Sequence, residues 1–135
     1  MSFTNGPTNY ASTRVLVIED EGHVRRIVCR LLRQMGFQLV DEAANGEEGL
    51  MQVVRVKPEL IICDIHMEPV DGLEFLRKLR GLNNSEMSNL PVIYLTADAN
   101  RDTVLVAREL KVSGYLVKPV SLDHLKSRVD AALRG

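Results

Sequence analysis

The segment IICDIHMEPVDG, residues 61–72, ends an apolar run on the carboxylate of Asp64 and continues through a histidine, a proline and two further acids. Such a run reads as a buried strand, and a charge at its end is costly to desolvate unless something offsets it. Beyond the loop, Asp71 and Gly72 open an amphipathic segment over 72–80, where an acid suits the positive end of a helix. The unit is strand, loop, helix.

That unit recurs along the chain. Short runs rich in β-branched residues at 14–18 (RVLVI), 37–43 (FQLVDEA), 60–63 (LIIC), 92–96 (VIYLT) and 115–118 (YLVK) alternate with helical patterns near 22–35, 46–57, 72–80, 101–111 and 121–134. Gly36 follows the first helix, Asn45 with Glu48 resembles a capping box, Pro58 closes the second helix and Ser121 caps the last; GLNNSEMSN over 81–89 reads as a loop. Strict alternation implies a parallel sheet covered by helices on both faces, because each right-handed crossover carries the chain back over the sheet. Nearly continuous apolar strands agree, being buried on both sides.

Composition narrows the function. The chain has 135 residues, 45% hydrophobic, which suits one compact domain, and 17 basic residues nearly balance 18 acidic ones. No broad basic surface argues for nucleic acid, so partner choice must be local. Cys29 and Cys63 have neither zinc-ligand nor disulfide-framework spacing, and a reducing cytoplasm is the expectation. No run approaches the roughly 18 apolar residues of a membrane span. Residues 1–13, MSFTNGPTNYAST, are polar where a signal peptide would be apolar, and read as a flexible leader.

Open parallel sheets bind ligands beyond the carboxyl ends of their strands. The residues there are Glu19, Asp20 and Glu21 after the first strand, Asp64 after the third, Thr96 on the fourth and Lys118 on the fifth. Neighbouring strands lie about 4.8 Å apart, so adjacency of the first and third brings Glu19, Asp20 and Asp64 into one small space. A divalent cation is the simplest compensation, and an acidic, watered site suits Mg²⁺. A carboxylate held there can also act as a nucleophile.

Together VLVIEDE, DIHMEPVDG, YLTA and GYLVKP resemble the receiver domain of bacterial response regulators, over Arg14 to Gly135. The resemblance implies a doubly wound, flavodoxin-like and CheY-like α/β fold, five parallel strands in order 2-1-3-4-5 with five helices. It makes Asp64 the phosphoacceptor for a sensor kinase or phosphotransfer-protein phosphohistidine. Glu19, Asp20, Asp64 and the backbone carbonyl of His66 would hold Mg²⁺, with Mn²⁺ as a substitute. Thr96, the backbone amide of Ala97 and Lys118 would contact the phosphoryl group. Thr96 and Tyr115 would form a switch acting on the face built by the 101–111 helix, the fifth strand and the last helix, and Lys118–Pro119 would be a cis bond.

Val104 belongs to that face: the 101–111 helix is apolar at 104, 105, 106, 107 and 110, which fits either a broad core contact or a docking surface for a downstream protein or a second copy. His66 and Asp98 occupy positions that the resemblance associates with phosphoryl lifetime; solvent exposure explains them equally. Cys63 should point away from Asp64 and be buried, and His23 and His124 read as surface residues. Many receivers carry proline four positions after the phosphoacceptor, where this chain has Glu68, with Pro69 next. The expectation is a single-domain response regulator, since the last helical pattern runs out at Arg134 and Gly135. It works by binding, with no enzymatic activity beyond phosphorylating and dephosphorylating itself, and has no nucleic-acid or membrane partner. The alternatives are a pseudo-receiver working without phosphorylation and a Mg²⁺-dependent aspartyl-phosphate phosphohydrolase.

Overall fold

The computed structural model describes residues 10–67, 70–97, 105 and 108–134. In chain order the elements are β1 (Arg14–Ile18), α1 (Gly22–Met35), β2 (Leu39–Ala43), α2 (Gly46–Val56), β3 (Leu60–Asp64), α3 (Gly72–Arg80), α4 (Ser85–Ser88), β4 (Val92–Thr96), β5 (Gly114–Val117) and α5 (Leu122–Arg134). Leu105, Arg108 and Glu109 are helical too, within the span read as a helix over 101–111. All strand pairs are parallel and the order is β2-β1-β3-β4-β5, as expected.

Alternation along the central strands divides the core into two layers. Leu16, Ile18, Ile61, Cys63, Val92 and Tyr94 pack with Val53, Phe75, Leu76 and Leu79 from α2 and α3. Val15, Val17, Leu60, Ile62, Ile93 and Leu95 pack with Val28 and Leu32 of α1 and Leu125 and Val129 of α5. The helix ends follow local chemistry. Gly36 takes the left-handed conformation (φ 119°) that closes α1, with the Phe37 N–H donating to the Leu32 carbonyl. Asn45 accepts from the Glu48 N–H at 2.9 Å while the Glu48 carboxylate accepts from the Ala44 N–H. Asp71 caps α3 through the Glu74 N–H, and Ser121 accepts from the His124 N–H.

Two readings change. The 81–89 stretch contains one helical turn, α4, because Asn84 caps it through the Met87 N–H and Met87 packs against the core. Within the leader expected over 1–13, Tyr10–Ser12 form a 3-10 turn. Tyr10 is buried because its ring stacks on Phe37 (centroids 4.8 Å apart) and its hydroxyl donates to the Asp130 carboxylate.

Arg80 ties the lower edge together. Its guanidinium donates to the carbonyls of Ser88 (3.0 Å), Leu90 (2.7 Å), Leu110 (2.9 Å) and Lys111 (3.1 Å), joining α3 to α4 and to the end of the 101–111 span. Charged donors make the stronger hydrogen bonds, and removing them strands the carbonyls. Arg80→Met should lower unfolding free energy by about 2–4 kcal/mol. Urea denaturation of the two proteins checks this, and a loss of under about 1 kcal/mol would show that water replaces the guanidinium at little cost.

Candidate functional site

Residues read from four separate stretches meet at the carboxyl edge of the sheet. Because β1 and β3 are neighbours, Glu19 just beyond β1 and Asp64 at the end of β3 come together, and Asp20 completes a set whose carboxylate oxygens lie within 4.8 Å of one another. Glu19 is fully buried and Asp64 nearly so, whereas Asp20 is exposed. Lys118 enters from the end of β5, its Nζ 2.8 Å from Glu19 Oε1, 3.5 Å from Asp64 Oδ1 and 3.8 Å from Glu21 Oε1. The Lys118–Pro119 bond is cis, as the resemblance implied.

Burial raises the Glu19 carboxyl to about 7; the Asp64 charge adds to the rise, while the Lys118 ammonium and the Glu21 N–H, 3.2 Å from Glu19 Oε2, oppose it. For Lys118, burial works against the charge, but the Glu19 and Asp64 carboxylates outweigh it and raise the pKa. The lysine therefore stays cationic and offsets part of the acidic charge.

The donor set also fits a metal ion. Glu19 Oε1 is buried and, despite the nearby ammonium, lacks a hydrogen bond of sound geometry. An oxygen so placed, with two further carboxylates within reach, suits a hard cation that retains water on its open side. Asp20, His66, Met67 and Asp71 line an open depression of about 320 Å³ on that side.

Thr96 ends β4, buried, and its carbonyl accepts from the Lys118 N–H at 2.8 Å. Ala97 follows, exposed. His66 is exposed; its N–H donates to Asp64 Oδ1 at 3.3 Å, which curls the exit loop back over the carboxylate. Tyr115 lies one pleat below the site, paired with Tyr94 and half-buried against the α2–α3 layer. Asp98, Val104, Glu68 and Pro69 lie outside the described residues. Cys63 points into the same α2–α3 layer, and burial holds its thiol well above its ordinary pKa, so it is an unreactive core residue. His23 and His124 are exposed.

Glu21, named with the strand-end acids but given no role, is within reach of Lys118. Sequence reasoning missed one contributor. Tyr94 is fully buried, with its hydroxyl donating to the Gly72 carbonyl at 2.5 Å; the signal was a hydroxyl in the middle of an apolar strand, ahead of Thr96 at its end.

With this geometry in hand, similarity to known proteins gives the class. The model of the response regulator receiver domain matches residues 15–130, and the chain belongs to that family. It is 32% identical over 117 residues to the chemotaxis protein CheY-3 of Vibrio cholerae, covering 87% of this chain and 88% of the relative. The chemotaxis protein CheY of Pseudomonas aeruginosa is also 32% identical over 117 residues, covering 87% and 93%. The solved structure of CheY4 from Vibrio cholerae superposes with a TM-score of 0.82 at 26% identity, covering 89% of this chain and 98% of that one. The fold is thus CheY-like, and the family places the chain in two-component signalling. No helix among the described residues is long and apolar enough to cross a membrane.

Two outcomes follow from the site. A Mg²⁺ concentration a hundred times its dissociation constant should stabilise the folded protein by about 2.7 kcal/mol, with a smaller gain for Asp64→Asn; equal melting temperatures with and without the ion would remove the metal site. For the metal-free protein, Glu19 binds a proton in the folded state from about 4.5 to about 7 that the unfolded chain does not. Its contribution to stability is therefore present below that window and lost as pH rises through it. The fall in the urea midpoint across the window should flatten in Glu19→Gln, and an unchanged slope would assign it to other groups.

Proposed function

We propose that this receiver domain takes a phosphoryl group onto Asp64 from the phosphohistidine of a sensor kinase or phosphotransfer protein, and signals through protein contact. The observation that carries this reading is the pair of buried carboxylates, Asp64 and Glu19, held against the single ammonium of Lys118 where the sheet opens to solvent. An Asp64 oxygen forms the new bond to phosphorus as the histidine nitrogen–phosphorus bond breaks and its electron pair returns to the imidazole. Lys118, the Thr96 hydroxyl and the Ala97 N–H would meet the phosphoryl oxygens, where fixed donors act most strongly. Glu19, Asp20, Asp64 and the His66 carbonyl would hold Mg²⁺, whose positive charge offsets the carboxylates and the incoming phosphoryl group. The proton that burial favours on Glu19 must leave first.

Access supports a protein donor. Beside the site an apolar groove of about 350 Å³ runs between α1 and the β5–α5 turn, lined by Val24, Ile27, Val28 and Val120 and ending on Lys118. A phosphohistidine carried on an apolar helix can rest there and reach Asp64.

Output passes through the opposite edge. Thr96 would shift toward the phosphoryl group and Tyr115, half-buried on the edge strand, would turn further inward. Leu105 and Val117 are large apolar side chains about half exposed, Val117 two residues from Tyr115 on β5, which supports a docking face for a downstream protein or a second copy.

Acetyl phosphate with Mg²⁺ tests the chemistry through intact mass. One phosphoryl adduct on the wild type, absent from Asp64→Asn and from the metal-free sample, is the expected result. No adduct at any donor concentration would overturn phosphorylation and leave partner binding as the activity. Steady turnover of unrelated phosphate esters would instead identify a phosphohydrolase.

A further inference from the structure

Tyr94 is the largest fully buried side chain that also carries a polar group, and it sits two residues before Thr96 on β4. Phenylalanine would fill nearly the same volume without desolvating a hydroxyl, so packing alone does not account for the oxygen. Its hydroxyl donates to the carbonyl of Gly72, the first residue of α3, at 2.5 Å. Burial raises the phenol far above its ordinary pKa, with Cys63 and Asp71 adding to the rise, so it remains a hydrogen-bond donor at any working pH.

Gly72 is in turn locked to the phosphoacceptor loop. Its N–H donates to the Ile65 carbonyl at 2.8 Å. A Cβ added to Gly72 would lie 2.4 Å from the Asp64 carbonyl oxygen and 2.8 Å from the Ile65 Cα, so the two backbones approach as closely as glycine permits. The Ile65 N–H, finally, donates to the Leu95 carbonyl on β4 at 3.2 Å. These contacts close a ring that runs from β4 through the Tyr94 hydroxyl to α3, from α3 to the backbone of Asp64 and Ile65, and back to β4. It encloses the exit of β3 and holds His66, whose N–H already bonds to Asp64.

The geometry points to Tyr94 as a positioning residue for phosphoryl transfer, whose hydroxyl fixes the exit loop of Asp64 against the strand that carries Thr96. This rests on the reading of Asp64 as phosphoacceptor. With the hydroxyl removed, the direct link from β4 to Gly72 is lost and the tie through Ile65 alone remains of the ring, so the carboxylate and the His66 carbonyl are less firmly spaced from Thr96. Small displacements of this kind are costly in both metal binding and rate.

The test compares Tyr94→Phe with wild type and with Val129→Ala, a core truncation in α5 within the opposite layer that disturbs stability without touching the ring. Mg²⁺ affinity is read by titration calorimetry, and the acetyl phosphate reaction by the rate of adduct formation. Tyr94→Phe should weaken Mg²⁺ binding and slow adduct formation by about tenfold each, the size seen when an outer partner of a metal site is lost. Val129→Ala should leave both near wild type while lowering the melting temperature. If Tyr94→Phe matches wild type in both readouts, or Val129→Ala shifts them equally, the hydroxyl has only a structural role and the inference fails. An absence of adduct on wild type itself overturns the phosphoacceptor reading instead, and the Mg²⁺ titration still decides the role of Tyr94.

Discussion

Two carboxylates withdrawn from water against one lysine are the interaction on which the rest of the molecule depends. Glu19 and Asp64 are buried by the adjacency of β1 and β3, so the sheet order itself creates the electrostatic problem. Lys118 answers part of it from β5, two strands away from β3, and must cross over the end of β4 to do so. Its route over Thr96 is fixed by the hydrogen bond from its own N–H to the Thr96 carbonyl. A single lysine does not offset the cost of that burial, and the Glu19 carboxyl is raised to about 7 chiefly by its withdrawal from water. The crowded carboxylates leave an arrangement that suits a cation.

The architecture was legible because burial on both faces leaves a strong mark. Strands such as VLVI and LIIC are continuous apolar runs, and their alternation with amphipathic segments admits few arrangements. Strand-end acids and the lysine were legible for a related reason. An open parallel sheet gathers ligand-binding residues at one edge, so Glu19, Asp20, Asp64 and Lys118 could be read from their position after each strand before any distance was known. Helix ends were readable where a side chain does the capping, as at Asn45 and Ser121, or where glycine is required, as at Gly36.

What the sequence hid are contacts made by ordinary residues across long separations. Arg80 looks like one more basic residue in the last turn of a helix, yet it serves four carbonyls from two distant segments. Tyr94 fits a strand by propensity alone, and its hydroxyl becomes informative only when Gly72 is placed beside it. The helical turn at Ser85–Ser88 is too short to show a period, and its Asn84 cap is one polar residue among several in a stretch rich in turn formers. In each case the local pattern has a simple explanation that is correct but incomplete.

Tyr10 gives the chain a late-closing seam. Its ring needs Phe37, at the entry to β2, and its hydroxyl needs Asp130, near the end of α5, so the contact joins residues 120 positions apart in sequence. Lys126 lies 5.4 Å from the ring centroid and adds a cation above its face. Such a contact forms only after both ends of the domain have found their places, and it contributes little to the first steps of folding. It does, however, make release of residues 10–12 and loosening of α5 a shared event. Protection of those amides against hydrogen exchange should therefore rise and fall together, although the two segments stand at opposite ends of the chain.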